Sequence, residues 1–94
     1  DEVTVPVAAE VRSACALLGL DPMQVANEGR LVAWVAGRDG ERAVQVLRAC
    51  TGGEQAVAIG HVVDEHPGMV VGRTAIGGTR IIDVPLGELL PRIC

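Results

Sequence analysis

The length, composition and charge of this chain restrict the folds it can form and the partners it can bind. It has 94 residues, of which 49% are hydrophobic, a formal net charge of −4 and a single aromatic side chain, Trp34. The length suits one domain, and its core has to be built from Val, Leu, Ile and Ala. Scattered arginines and a negative net charge argue against a nucleic-acid partner. No apolar run reaches the ~18–20 residues of a membrane span.

Three cysteines, Cys15, Cys50 and Cys94, form no C-x-x-C pair and no Cys/His cluster. This pattern argues against a disulfide framework or a metal site, and it indicates a reduced, cytoplasmic compartment. The chain begins at Asp1 rather than at a methionine, and its apolar content is high for so few aromatic residues. We therefore expect a C-terminal fragment of a longer protein, whose missing part covers an apolar face.

The first predicted element is a helix over about 6–18. Pro6 suits a first helical position, apolar residues including Cys15 recur at helical spacing, and Gly19 ends the pattern. Asp21 and Pro22 then supply a cap and a preset first turn. This predicts one short helical turn that leads into the loop "ANEGR".

Residues 31–36 are continuously apolar, which is typical of a strand covered on both faces. The pattern places Trp34 in the core. A helix over 39–50, capped by Asp39, and a strand over 56–65 complete a candidate β-α-β unit. The helical spacing also predicts that Cys50 is buried.

A Pro-Gly turn of type II character follows His66 and leads from the 56–65 strand into an antiparallel strand over 69–74. Another strand begins at residue 79. The order of elements predicts an α+β fold, a mixed and mainly antiparallel sheet with two helices packed on it.

The last ten residues, "PLGELLPRIC", differ from the rest because two prolines and a glycine deny them regular structure. Fully extended, they would span about 33 Å at ~3.3 Å per residue, far enough to reach a remote site. We divide the chain into one partial domain, residues 1–84, and a flexible tail, residues 85–94.

The sequence contains no established phosphate-binding motif and no Ser-His-Asp arrangement. The segments "TGGEQ" and "IGGTR" are too short and too common to be phosphate loops, and we predict turns there. His61 lies in a predicted strand and His66 precedes a turn, so both are interpreted as structural or surface residues.

Two residues carry candidate chemistry. Glu28, flanked by Asn27 and Gly29, precedes a predicted buried strand. Partial desolvation against a neighbouring site would raise its proton affinity toward that of a general base. The alternative, an ordinary loop carboxylate, is the one that composition favours. Cys94 ends the chain, and the residues alone leave open whether its thiol is a tethered carrier or a product of truncation.

Three stretches, "LLGLDPMQVANEGRLVAWV", "EHPGMVVGRTAIGG" and "GGTRIIDVPLGELLPRIC", together resemble the C-terminal part of the HypE family of hydrogenase maturation factors. The resemblance covers about residues 5–94, and its most specific element is the terminal P-R-I-C. The family is similar to aminoimidazole ribonucleotide synthetase and selenophosphate synthetase, which are two-domain proteins that use ATP. The resemblance implies that this chain belongs to an α/β second domain. It also implies a missing first domain, which supplies most of the ATP and Mg²⁺ site and the homodimer contact.

The resemblance also implies a reaction. In this family the carbamoyltransferase HypF loads a carbamoyl group onto the terminal thiol, and ATP-dependent loss of water leaves a thiocyanate. The cyano group then passes to iron on the HypC–HypD complex, for the nickel-iron hydrogenase site. Cys94 would be the carrier thiol, Glu28 the base that takes a proton from the carboxamide nitrogen, and Asn27 an orienting group.

Without its ATP-binding domain the fragment is expected to be inactive. The alternative function is a non-catalytic α+β module for interaction or small-ligand binding, with an incidental terminal cysteine. Substitution of Cys94 would leave the function of such a module intact.

Overall fold

The computed structural model of the chain describes residues 1–83. Within that range it contains two α-helices, one antiparallel pair of strands and three short 3-10 helices, which confirms the predicted α+β class. In chain order the elements are Glu2–Thr4 (3-10), Ala9–Leu18 (α1), Pro22–Gln24 (3-10), Gly37–Asp39 (3-10), Gly40–Arg48 (α2), Val70–Arg73 (β1) and Thr79–Ile82 (β2). The predicted tail, with Cys94, lies outside the described residues.

Helix α1 begins at Ala9, three residues later than predicted, and ends where it was predicted to end. Ala8 occupies the N-cap position with extended backbone angles, and its side chain cannot cap the helix. Pro6 therefore lies before the helix and not in its first turn. Gly19 closes the helix with a φ of 68°, and the N–H of Leu20 donates to the Cys15 carbonyl at 2.8 Å. Cys15 is buried, as its position in the helical pattern predicted.

Helix α2 covers Gly40–Arg48 and is shorter than the predicted 39–50. Asp39 occupies the N-cap position, but its side chain makes no capping hydrogen bond. The prediction that Cys50 is buried is wrong, because the helix ends before it and its sulfur lies in the exposed C-terminal turn. The thiol donates to the Val46 carbonyl, with 3.4 Å between sulfur and oxygen.

Neither residues 31–36 nor residues 56–65 form a strand in the described part of the chain, so the predicted β-α-β unit is absent there. A strand is defined by a hydrogen-bonded neighbour, and these segments have no ladder partner within residues 1–83. Most of their side chains are correspondingly exposed, although Ala56 and Ile59 are half-buried. Trp34, predicted to be core, is 77% exposed, and Val62 is 78% exposed.

The sheet that does form is a hairpin of β1 and β2. The prediction that residues 69–74 pair with the 56–65 segment is wrong, since they pair with the strand that follows them. The "IGG" segment makes the predicted turn, in which the Thr74 N–H donates to the Gly78 carbonyl at 2.7 Å. Gly77 adopts a φ of 88° in this turn, a conformation that favours glycine.

The Pro-Gly turn before β1 is confirmed. The N–H of Met69 donates to the His66 carbonyl at 3.1 Å, across Pro67 and Gly68. Gly68 has a φ of 78°, as the third residue of a type II turn requires. The turn therefore sets the direction from which the chain enters β1.

Gly72 in β1 is buried and lies opposite Arg80 in the ladder. A Cβ atom at this position would lie 2.8 Å from Ile82 Cδ1 and 3.1 Å from Glu2 Oε2. The missing side chain therefore leaves the space through which the Glu2 carboxylate reaches the hairpin. The sequence signal for this role is a lone glycine within an apolar strand pattern.

We expect Gly72→Val to lower the free energy of unfolding of the full-length protein by about 1–3 kcal/mol, because the added methyl groups overpack this space. Chemical denaturation monitored by circular dichroism measures the change. Gly60→Val is the control, since a Cβ at Gly60 meets no atom within 4 Å. Equal stability of the two variants would contradict a packed space at Gly72.

Candidate functional site

Arg80 in β2 joins three segments that are far apart in sequence. Its Nε donates to Glu2 Oε2 at 2.9 Å, and its Nη2 donates to the other oxygen of the same carboxylate. Its Nη1 lies 2.7 Å from Asp21 Oδ2. The guanidinium thus contacts two carboxylates at once, with the two-pronged geometry that arginine favours.

Asp21 uses its second oxygen for local structure. Its Oδ1 accepts a hydrogen bond from the Met23 N–H at 3.0 Å and caps the Pro22–Gln24 turn, as predicted. The hydrogen bond from Arg80, assisted by that of the Met23 N–H, lowers the pKa of Asp21 below its ordinary value of 3.8, against a smaller opposing effect of burial. The carboxylate therefore holds the turn and the hairpin together in its ionised form.

The lowered pKa predicts a pH-dependent stability. A carboxylate with a depressed pKa in the folded state stabilises the fold above its unfolded pKa, and this contribution is lost as the pH falls through the folded value. Asp21→Asn keeps the capping function but removes the charge. We expect the variant to melt below the wild-type full-length protein at neutral pH, and this difference to shrink below about pH 4.

Thermal unfolding across the acid range measures this effect, with Asp64→Asn as an exposed control on another segment. A melting difference between wild type and Asp21→Asn that stays constant down to about pH 2 would show that the charge of Asp21 does not stabilise the fold.

A cleft of about 290 Å³ lies beside this network, between the N-terminal segment, α1, the Pro22–Gln24 turn and the end of β1. Its described lining has three charged side chains, Glu2, Arg12 and Asp21, and one hydroxyl group, that of Thr74. The carboxylates of Glu2 and Asp21 are both bound by Arg80.

The loop of residues 26–30 follows directly from the segment that Asp21 anchors. Asn27 and Glu28 are both exposed, and Gly29 turns the chain with a φ of 74°. The structure presents both side chains on an accessible loop, immediately before the exposed apolar segment 31–36.

The other glycine-rich segment, residues 51–55, also forms a turn, as predicted. The Gly52 N–H donates to Glu54 Oε1 at 3.1 Å, and the Gly53 N–H donates to the Cys50 carbonyl at 3.0 Å. Hydrogen bonds from the N–H groups of Glu54 and Gly52 lower the pKa of the Glu54 carboxyl. Since the chain's own carboxylate occupies this turn, the turn does not have the open N–H groups of a phosphate loop.

Residues 1–83 contain no group of three or more His, Cys, Asp or Glu side chains arranged to hold a metal ion. None of the helices described is long and apolar enough to cross a membrane.

The network around Arg80 was missed by the sequence interpretation. Arg80 and Glu2 lie 78 residues apart, and long-range ion pairs leave no periodic signal. Only two local features point toward it: an aspartate before a proline, and an arginine within an otherwise apolar strand. The structure brings Asp21, Glu2 and Arg80 together, whereas Cys94 lies outside the residues it describes.

Comparison with known proteins identifies the domain. Residues 2–72 match the family model for the AIR synthase related protein, C-terminal domain. The whole chain is 47% identical to the carbamoyl dehydratase HypE of Rhodobacter capsulatus and spans 28% of that protein.

Two further relatives align with 99% of the chain, which spans 27% of each of them. They are the hydrogenase expression/formation protein HupE of Azotobacter chroococcum, which is 43% identical, and the carbamoyl dehydratase HypE of Escherichia coli strain K12, which is 40% identical. The chain therefore belongs to the AIR synthase related family, and residues 2–72 match that family's C-terminal domain.

Proposed function

We propose that the longer protein containing this chain is an ATP-dependent carbamoyl dehydratase that makes the cyano ligand of the nickel-iron hydrogenase active site. The observation that carries the proposal is alignment over all 94 residues, Cys94 included, with a relative named carbamoyl dehydratase HypE. The chain would comprise part of the second domain, residues 1–84, and a tail, residues 85–94, that delivers the terminal thiol.

The proposed role of Cys94 follows from what the reaction requires. In the loading step the Cys94 sulfur gives up its proton and bonds to the carbamoyl carbon, while the bond from that carbon to its donor group on the carbamoyltransferase HypF breaks, so that an S-carbamoyl (thiocarbamate) group results. Dehydration then removes the oxygen and both nitrogen protons, so that a C≡N triple bond remains on the same sulfur. A thiol at the end of a chain can visit a donor, a reaction site and an acceptor in turn, which a thiol fixed in a helix cannot do.

Glu28 is the proposed base. Its carboxylate would accept a proton from the carboxamide nitrogen, and Asn27 beside it would orient the carbamoyl group through its side-chain amide. The exposed loop is accessible to a substrate carried by another segment. Contact with the rest of the longer protein would supply the desolvation that raises the proton affinity of a carboxylate to a useful level.

The described residues do not fit ATP or Mg²⁺. The glycine turns have their N–H groups directed at the chain's own oxygens, and no acidic cluster of metal-binding geometry is present in residues 1–83. We therefore assign ATP, Mg²⁺ and the homodimer contact to the first domain of the longer protein. ATP would supply the activation of the carbamoyl oxygen as a leaving group.

The proposed acceptor of the cyano group is an iron ion held by the HypC–HypD complex. The proposed location is the cytoplasm, because a carrier thiol has to stay reduced.

Intact-mass spectrometry tests the proposal. The full-length protein is incubated with HypF, carbamoyl phosphate and ATP, and the expected result is a carbamoyl adduct that subsequently loses one water. Tandem fragmentation should localise both species to Cys94. An unmodified protein under these conditions would overturn the proposal and favour the alternative, a non-catalytic interaction or small-ligand-binding module.

A further inference from the structure

Residues 57–63 have the composition of a buried strand but almost no hydrogen-bonded backbone. Val62 and Val63 in this segment are 78% and 64% exposed. Among the segment's backbone groups, only the carbonyl of Ile59 forms a hydrogen bond to another group within residues 1–83. The backbone of an apolar segment needs hydrogen-bond partners once it leaves water, so this segment requires a neighbour that the described residues do not supply.

The one bonded carbonyl is held by the beginning of the chain. The Asp1 nitrogen donates to the Ile59 carbonyl oxygen at 2.9 Å. In the longer protein this nitrogen belongs to a peptide bond, so the contact is a backbone-to-backbone hydrogen bond, the kind that joins neighbouring strands. The polypeptide that precedes Asp1 therefore enters beside residues 57–63.

The position of Asp1 is fixed by further contacts. The Thr4 N–H donates to the Asp1 carbonyl at 3.2 Å and closes the Glu2–Thr4 turn. Arg73 Nε in β1 lies 3.5 Å from Asp1 Oδ1. Because the chain turns away directly after Asp1, the residues before Asp1, and not those after it, are placed to continue along residues 57–63.

Only one end of the segment offers free backbone groups. At the other end, Arg48 Nε donates to the Ala56 carbonyl at 2.7 Å, and the Ala56 N–H donates to the Gly53 carbonyl at 3.0 Å. The free row lies after Ile59, over residues 60–63. A polypeptide that leads back from Asp1 lies opposite these residues only if it runs antiparallel to them.

We propose that the polypeptide preceding Asp1 in the longer protein forms a β-strand that pairs antiparallel with residues 59–63. The chain spans only 27–28% of the relatives it matches, so most of the longer protein is available for this role. A helix could cover Val62 and Val63, but its own backbone groups are already paired, so a strand is the element that satisfies this backbone. The inference is independent of the proposed reaction.

Disulfide cross-linking in the full-length protein tests which segment lies there. Val62→Cys is combined in turn with a single cysteine at each of the roughly five residues before Asp1, the length of a typical strand. Cys50 and Cys94 are replaced by serine in all variants, whereas Cys15 is buried and is kept. Pairing that continues from the Asp1–Ile59 hydrogen bond places Val62 opposite the third residue before Asp1.

We expect an intrachain disulfide in highest yield at that third residue, and little at the second or fourth, because side chains of successive strand residues point to opposite faces. Equal yields at the three positions, or no intrachain disulfide at any of them, would overturn the proposal. A disulfide between two chains in place of the intrachain bond would show that a second copy occupies this segment, which also overturns it.

Hydrogen exchange of the unmodified full-length protein gives a second readout. In an antiparallel ladder that starts at Ile59, the N–H groups of His61 and Val63 point at the new strand. We expect them to exchange at least roughly a hundredfold more slowly than the N–H of Ile76, which is 97% exposed in the hairpin turn. Fast exchange at both positions would overturn the pairing. Neither measurement uses HypF or ATP, so failure here is distinguishable from failure of the proposed reaction.

Discussion

Replacing Cys94 with serine is expected to abolish carbamoylation of the full-length protein altogether. A serine hydroxyl at neutral pH has almost no ionised fraction, whereas a thiol near its reference pKa of ~8.5 has a few per cent. The cyano group would also lack the sulfur on which it is formed. Intact mass after incubation with HypF, carbamoyl phosphate and ATP should show only the unmodified protein, and no cyanide should be released by a thiol reductant.

The matched control is Cys50→Ser, which removes an exposed thiol at the end of α2. This variant should load and dehydrate like wild type. Adduct formation on the Cys94→Ser protein, or its loss in the Cys50→Ser protein, would show that the carrier thiol has been assigned to the wrong residue.

Replacing Glu28 with glutamine should separate the two halves of the reaction. Carbamoylation needs only the thiol and the donor, so its rate should be unchanged. Dehydration requires removal of nitrogen protons, and loss of a positioned base costs typically 10²–10⁴-fold. We therefore expect the carbamoyl adduct to accumulate and its loss of water to slow by roughly a hundredfold or more.

Single-turnover intact mass measures both steps in one reaction. Glu65→Gln serves as the control, since it removes an exposed carboxylate from a different loop. A second test is the pH profile of dehydration, because a base that must be ionised gives a rate that falls on its acid side. A Glu28→Gln protein that dehydrates at the wild-type rate would exclude this residue as the base.

Local signals in the sequence predicted local structure well. Gly19 in the left-handed region ends α1, and Asp21 caps the turn that follows it. Pro67 and Gly68 form the predicted turn before β1. Each of these features is decided within a few residues by backbone sterics or a single hydrogen bond, so the sequence pattern contains the necessary information.

The strands were predicted poorly because pairing is not a local property. Residues 31–36 have the apolar composition of a buried strand, but that composition indicates only what the segment requires, namely neighbours on its edges and faces. Within residues 1–83 no neighbour is present, and Trp34 is exposed. The adjacent pair β1 and β2 forms because a short turn connects its two strands.

The site was also only partly predictable. Glu28 and Asn27 were selected by motif resemblance, and the structure places them on an exposed loop without assigning them a role. The contacts of Arg80 with Glu2 and Asp21 were not predicted, because they join positions 78 and 59 residues apart. Such contacts depend on how the hairpin lies against the N-terminal segment.

The glycine at position 72 is constrained by volume rather than by torsion angles. Its backbone does not lie in the left-handed region, so any amino acid could adopt its conformation. What excludes larger residues is the carboxylate and the isoleucine methyl group that already occupy the place of a side chain. A larger residue at this position would therefore crowd Ile82 and displace the Glu2 carboxylate, which would weaken an electrostatic contact between remote parts of the polypeptide.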